Sequence, residues 1–171
     1  RSPLAEALLR DRLARRGAAA NVYSAGLLDA GRPASAHGID VLRQRGLDLT
    51  GHRSRTFTAE ALDRADLVVG MARLHVREAV AAAPGAWRKT FTLKELVRRG
   101  EDIGPRAHGQ PLEEWLLKAH AGRIPADLLG ESDDDDIFDP IGSTRQVYEA
   151  TANEIEDLVD RLVNLLEEPT P

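Results

Sequence analysis

The chain contains no cysteine, and only 4% of its 171 residues are aromatic. The absence of cysteine excludes disulfides, zinc–thiolate sites and a CxxC redox pair within these residues. No apolar run is long enough to cross a membrane and no signal peptide is visible, so we expect a cytoplasmic protein with no membrane partner. A net charge of −5 argues against a nucleic-acid partner. The five histidines form no tight cluster, so no metal or other cofactor is expected.

The remaining composition is that of a globular protein, with 42% apolar and 30% charged residues. A length of 171 residues suits one domain. Helical and strand-like patterns alternate along the chain. This alternation predicts an α/β fold with a mostly parallel sheet flanked by helices.

Apolar periodicity, glycine and proline place the individual elements. Helices are predicted at 3–16, 34–45, 59–65, 74–83, 93–99 and 112–120. Strands are predicted at 21–26, 66–71 and 89–93. A C-terminal helix that ends before Pro169 is predicted because Ile155, Leu158, Leu162 and Leu166 recur at steps of three and four residues.

The first residues have the pattern of a helix N-terminus. Ser2 is predicted as the N-cap, Pro3 fits the first helical position, and Glu6 places negative charge near the positive end of the helix dipole. The unpaired N–H groups of such an end bind anions, and Arg1 adds a fork that matches phosphate. By itself this pattern is equally that of an ordinary helix start, so it does not establish a phosphate site.

Five motifs occur in the order of the low-molecular-weight protein tyrosine phosphatases, which the chain resembles over most of its length. They are R-S-P-L-A-E at 1–6, Y-S-A-G at 23–26, G-L-D-L-T-G-H-R-S-R at 46–55, A-D-L-V-V-G-M at 65–71 and D-P-I-G at 139–142. The first is similar to the end of the phosphate-loop signature C-x5-R-S. The resemblance implies one phosphatase-like domain, 1–171, with three layers and an about four-stranded sheet whose first strand is missing from this chain. The stretch at about 84–130 is a candidate insertion.

The resemblance also implies roles for individual residues. Arg1 is expected to clamp the phosphate, and Asp139 to protonate the leaving group and then activate water. Ser2, Ser24 and His52 are expected to support the phosphate loop. The nucleophilic cysteine is expected six positions before Arg1, and the first strand before it, so the chain as given is expected to be inactive.

The rim of the implied pocket departs from family members that favour phosphotyrosine. Ala30 and Ile141 stand where such members carry aromatic side chains, which weakens ring stacking on a phenyl group. The expected substrate is a phosphorylated protein or a small aryl phosphate. Two alternatives remain open: an arsenate reductase of the same fold, which needs further cysteines, and a non-catalytic pseudophosphatase. Asp139 also follows an acidic run, which is usually a solvated loop.

Overall fold

The computed structural model describes residues 1–27 and 30–166. The chain divides into two compact units. Unit 1 consists of Arg1–Thr56 and Ile137–Val163, and unit 2 consists of Phe57–Asp136 and the chain from Asn164 onward. No helix within the described ranges is both long and apolar enough to cross a membrane. A single domain with an insertion at about 84–130 stays a prediction.

Helices make up most of both units. The α-helices are α1 (Ser2–Arg15), α2 (Ala36–Gln44), α3 (Ala59–Arg64), α4 (Arg73–Ala82), α5 (Leu93–Ile103), α6 (Leu112–His120) and α7 (Arg145–Leu166). Short 3₁₀ helices lie at Pro84–Lys89 and Pro125–Leu128. These positions confirm the predicted helices to within a few residues at each end. The predicted helix end at Pro169 lies outside the described residues.

The core of unit 1 is formed by α1, α2 and most of α7. Leu8, Val41, Leu42 and Ile155 are completely buried, which accounts for the apolar repeats of these helices.

Charged pairs join the same three helices beside this core. Arg12 on α1 binds Glu156 and Asp160 on α7 at 2.8 and 2.6 Å, and Arg45 after α2 binds Glu156 at 2.6 Å. Hydrogen-bonded pairs of opposite charge fix the register of helices that apolar contacts alone would let slide. The first and last helices of the chain are thereby connected by both kinds of contact.

Unit 2 contains a parallel pair of strands, β1 (Val68–Gly70) and β2 (Thr90–Thr92), with Val69 opposite Phe91. The α/β class and the parallel pairing are confirmed. The sheet of the described residues has two strands, one fewer than the three that the pattern predicts within this chain. The predicted strand at 21–26 makes a single bridge, Gly26 to Thr56. A strand exists only through ladder partners, and one bridge does not extend into a ladder.

Helix α5 continues beyond its predicted end at residue 99. Gly100, the residue after the predicted end, lies inside α5 and is buried. A β-carbon there would lie 2.7 Å from a methyl of Leu165 and 3.0 Å from the indole of Trp115. Gly104 ends the helix, with a φ of +83° that favours glycine. Gly100 is therefore present for close packing, and Gly104 for the turn.

Candidate active site

The N-terminus of α1 carries the predicted phosphate-binding residues. The carbonyl of Arg1 accepts hydrogen bonds from the amides of Leu4 and Ala5 at 3.0 and 3.1 Å. Arg1 is therefore the N-cap, and its side chain makes no capping bond. The prediction that Ser2 is the N-cap is wrong, because the helical bonds begin one residue earlier and include Ser2 in the first turn. Ser2 lies half-buried beside Arg1, at an end where helices bind anions.

Arg1 and Asp139 lie in contact although 138 residues separate them in the sequence. Nη2 of Arg1 donates to Oδ2 of Asp139 at 2.9 Å, and Nη1 donates to the carbonyl of Ile137 at 2.6 Å. The Arg1 side chain is 14% exposed and the Asp139 side chain 45%. Oδ1 of Asp139 also accepts from the amide of Ile141 at 3.2 Å, a local turn typical of aspartate before proline. The Arg1 guanidinium, which suits phosphate, and the Asp139 carboxylate thus lie side by side at the N-terminus of α1.

Ser24 and His52 are brought together by Glu6. One oxygen of the Glu6 carboxylate, Oε2, accepts from the amide and the hydroxyl of Ser24 at 2.9 and 2.6 Å. Nδ1 of His52 lies 3.8 Å from the same oxygen. The other oxygen, Oε1, pairs with Arg10 one turn further along α1. Glu6 therefore connects α1 to the segment that carries Ser24 and to the loop that carries His52.

Burial and hydrogen bonding oppose each other in this cluster. Burial of the Glu6 carboxylate raises its pKa, but the hydrogen bonds from Ser24 and Arg10 outweigh burial, so that the pKa lies below its usual value. Burial lowers the pKa of His52, and Arg55 and Arg53 act in the same direction, whereas Glu6 partly offsets them. With its pKa below the usual 6.5, His52 is neutral near pH 7, and its 3.8 Å contact with the Glu6 carboxylate is not an ion pair.

The predicted rim residues are both exposed. Ile141 is 70% exposed and lies next to Asp139 through the turn described above, and Ala30 lies in an exposed turn. Phe138, which precedes Asp139, is 64% exposed. The resemblance implies aromatic rim residues after the second strand and after Asp-Pro, so this phenyl ring before Asp139 was not predicted.

Glu6 is the other residue that the sequence interpretation missed in this role. Glu6 was predicted to lie in the first turn and interact with the helix dipole, but α1 begins earlier and Glu6 lies beyond that turn. Its carboxylate instead bonds to Ser24 and lies near His52. The half-buried Ser24 hydroxyl and the half-buried His52 imidazole both favour a polar partner, and Glu6 supplies it. The predicted functions of Arg1, Ser2, Ser24, His52 and Asp139 stay predictions.

Comparison with known proteins identifies the family. The model of the low molecular weight phosphotyrosine protein phosphatase family matches residues 1–104. The chain belongs to this family. A protein-arginine-phosphatase of Bacillus subtilis is 30% identical over 168 residues, covering 97% of this chain and 89% of that protein. The low molecular weight protein-tyrosine-phosphatase Etp of Escherichia coli is 31% identical over 131 residues, covering 69% and 86%.

Solved structures agree with the sequence relatives. A low molecular weight protein tyrosine phosphatase from T. tengcongensis superposes with a TM-score of 0.72 at 30% identity, covering 97% of this chain and 91% of that one. The YwlE arginine phosphatase from Geobacillus stearothermophilus gives 0.68 at 31% identity, covering 96% and 83%. The family is one of phosphatase hydrolases, and its named members here act on two kinds of phosphorylated residue.

Proposed function

We propose that the protein containing this chain is a cysteine-dependent protein tyrosine phosphatase that works through a phosphocysteine intermediate. One observation carries the proposal: the Arg1 guanidinium at the N-terminus of α1 lies 2.9 Å from the Asp139 carboxylate. Phosphoryl transfer depends on positioning and on charge stabilisation around the phosphate oxygens. A cation at a helix N-terminus supplies that stabilisation, and a carboxyl group beside it can handle the proton.

The proposed reaction has two steps. A thiolate, expected from a cysteine six positions before Arg1 in the coding sequence, attacks phosphorus, and the bond to the phenolic oxygen breaks. Asp139 gives its proton to the departing oxygen. Water then attacks the phosphocysteine, Asp139 takes up a proton from it, and inorganic phosphate leaves with the thiolate restored. Arg1 binds the equatorial oxygens in both steps, and its charge together with the helix end lowers the thiol pKa.

Phosphoarginine is a second candidate substrate, and two observations favour it. The exposed rim positions hold Ala30 and Ile141, which stack poorly on a phenyl ring. The relatives named protein-arginine-phosphatase match 97% and 98% of this chain, against 69% for Etp. In this case a P–N bond breaks, and Asp139 protonates the departing guanidine nitrogen. Either substrate is a phosphorylated protein, and the cytoplasm is the expected compartment.

The test is phosphate release by the protein expressed from the complete coding sequence. Two peptides of identical flanking sequence, one with phosphotyrosine and one with phosphoarginine, are compared by kcat/KM. We expect turnover that is abolished when the upstream cysteine is replaced by serine, and no turnover by the 171-residue chain alone. The ratio of the two kcat/KM values decides the substrate. A coding sequence without that cysteine, or a full protein without turnover, would favour the pseudophosphatase.

A further inference from the structure

The Arg1 side chain holds two parts of the segment that carries the proposed general acid. Nη1 binds a backbone group, the carbonyl of Ile137, and Nη2 binds the Asp139 carboxylate. A guanidinium has five N–H donors in a fixed plane, and these contacts occupy two of them. The same side chain therefore keeps donors for the oxygens of a phosphate while it stays bonded to this segment.

Within the segment from Ile137 to Ile141, Ile137 and Pro140 are buried and the other side chains are exposed. The Ile137 side chain is 1% exposed, which anchors the start of the segment in the core of unit 1. Phe138 and Ile141 are 64% and 70% exposed. The turn bond from the Ile141 amide to Asp139 shapes the segment locally but does not attach it to α1. The two side-chain hydrogen bonds of Arg1 join the segment to the N-terminus of α1.

The two contacts respond differently to the reaction. A general acid must be protonated when it acts, and a protonated carboxyl group gives up its charge-assisted bond to a guanidinium. The carbonyl of Ile137 carries no charge and can stay bonded to Nη1 throughout. The carbonyl contact is thus the one that can hold the segment during catalysis.

We infer that Arg1 is also the positioning residue of the general acid: by holding the Ile137 carbonyl, it fixes the reach of Asp139 relative to the phosphate that it binds. The inference rests on the proposed function. Lysine keeps the positive charge but is a point donor on a flexible stem, without the planar fork that spans two acceptors. Arg1→Lys therefore separates charge from positioning.

The first experiment is a double-mutant cycle in the full-length protein, with Arg1→Lys, Asp139→Asn and the double variant. Each is assayed on two aryl phosphates, one with a poor and one with a very good leaving group. With the poor leaving group, Arg1→Lys should reduce kcat about tenfold more in the wild-type background than in the Asp139→Asn background, because positioned acids contribute about 10²–10⁴-fold. With the good leaving group, which needs no proton, the two reductions should be equal. If Arg1→Lys reduces kcat equally in the two backgrounds for both esters, the inference is overturned.

The second experiment needs no activity, and so separates this inference from the proposed function. Amide hydrogen exchange is measured on the 171-residue chain, with and without Arg1→Lys. Exchange at residues 138–142, including the Ile141 amide, should become about tenfold faster, while exchange within α2 stays unchanged.

Arg43→Lys is the matched control. Arg43 binds Asp40 at 3.0 Å on the exposed face of α2 and takes no part in the site. Unchanged exchange at 138–142 in Arg1→Lys, or the same acceleration in Arg43→Lys, overturns the positioning role even if the full-length protein proves to be a phosphatase. Wild-type inactivity combined with accelerated exchange would instead refute the proposed function alone.

Discussion

Replacing Glu6 with glutamine should destabilise unit 1 although the side chain keeps its shape. Oε2 of Glu6 accepts two hydrogen bonds from Ser24, at 2.9 and 2.6 Å, and lies 3.8 Å from Nδ1 of His52. Glutamine offers one carbonyl oxygen without a full charge, and its NH₂ group must face either Ser24 or Arg10. Both residues donate hydrogen bonds to Glu6, so a donor would then face a donor. One bond is therefore lost and the others are weakened.

The magnitude follows from the number and kind of these bonds. A hydrogen bond to a charged group contributes about 1.5–3 kcal/mol, against about 1 kcal/mol for a neutral one. The Glu6 side chain is only 12% exposed, whereas Arg10 is 57% exposed, so the ion pair with Arg10 adds little. We expect Glu6→Gln to lower the free energy of unfolding by about 1–2 kcal/mol at pH 7, and Glu6→Ala by about 2–4 kcal/mol because it leaves Ser24 without a partner.

The pH dependence gives a second, independent signature. The pKa of Glu6 lies below its usual 4.5 in the folded protein, so its stabilisation is complete at neutral pH and is lost as the pH falls below 4.5 and through the folded value. The pKa of His52 lies below its usual 6.5, so protonation of His52 costs stability as the pH falls below 6.5. Glu6 eases that protonation. The stability gap between wild type and Glu6→Gln should therefore widen slightly below pH 6.5 and close below pH 4.5.

The assay must report on unit 1. Both tryptophans, Trp87 and Trp115, lie in unit 2, so tryptophan fluorescence would follow the wrong unit. Urea unfolding by far-UV circular dichroism, combined with amide exchange of residues 19–27, measures the expected loss. Glu149→Gln, an exposed substitution on α7, is the control and should be neutral. A Glu6→Gln variant as stable as this control at pH 7, with unchanged exchange at 19–27, would refute the role of Glu6.

Three further predictions concern single side chains. Asp139→Asn in the full-length protein should lower kcat by about 10²–10⁴ on esters with poor leaving groups and much less on good ones, as leaving-group kinetics will show. Asp135→Asn should destabilise unit 2 by about 2–3 kcal/mol in urea unfolding, because the Asp135 side chain is 8% exposed and pairs with Arg73 at 2.7 Å and Arg98 at 2.8 Å. Gly100→Ala should cost about 1–2 kcal/mol by the same measurement, since the overlap with Leu165 exceeds the gain of about 1 kcal/mol in helix propensity.

The helices could be predicted because their determinants are local. Thr92 accepts a hydrogen bond from the Glu95 amide at 3.1 Å and starts α5 where the sequence suggests. The buried face of α7, with Ile155 and Leu162 completely buried, follows the three-and-four spacing. The strand predicted at 21–26 forms only one bridge, an outcome that its own residues could not indicate, because a strand is decided by the partners that bond to its backbone.

The site could be predicted only as far as its motif order extends. Arg1 and Asp139 are 138 residues apart, and no local rule relates them. The resemblance placed them in one pocket, and the structure puts them in contact. The contacts of Glu6 with Ser24 and His52 were not predicted, because the helix dipole already explained a glutamate near the start of a helix. That local explanation did not require a distant partner.

Arg123 shows why buried polar groups resist prediction from sequence. Its side chain is 1% exposed, bonds to both oxygens of Glu95 at 2.7 and 3.0 Å, and lies 3.8 Å from the ring of Trp87 and 4.1 Å from that of Phe91. Arginine is almost never fully buried unless it is paired, so a sequence interpretation places it outside. These three partner side chains come from α5, a 3₁₀ helix and β2, and Glu95 and Trp87 lie 28 and 36 residues away from Arg123 in the sequence. The pairing permits the burial, and the pairing exists only once unit 2 has folded.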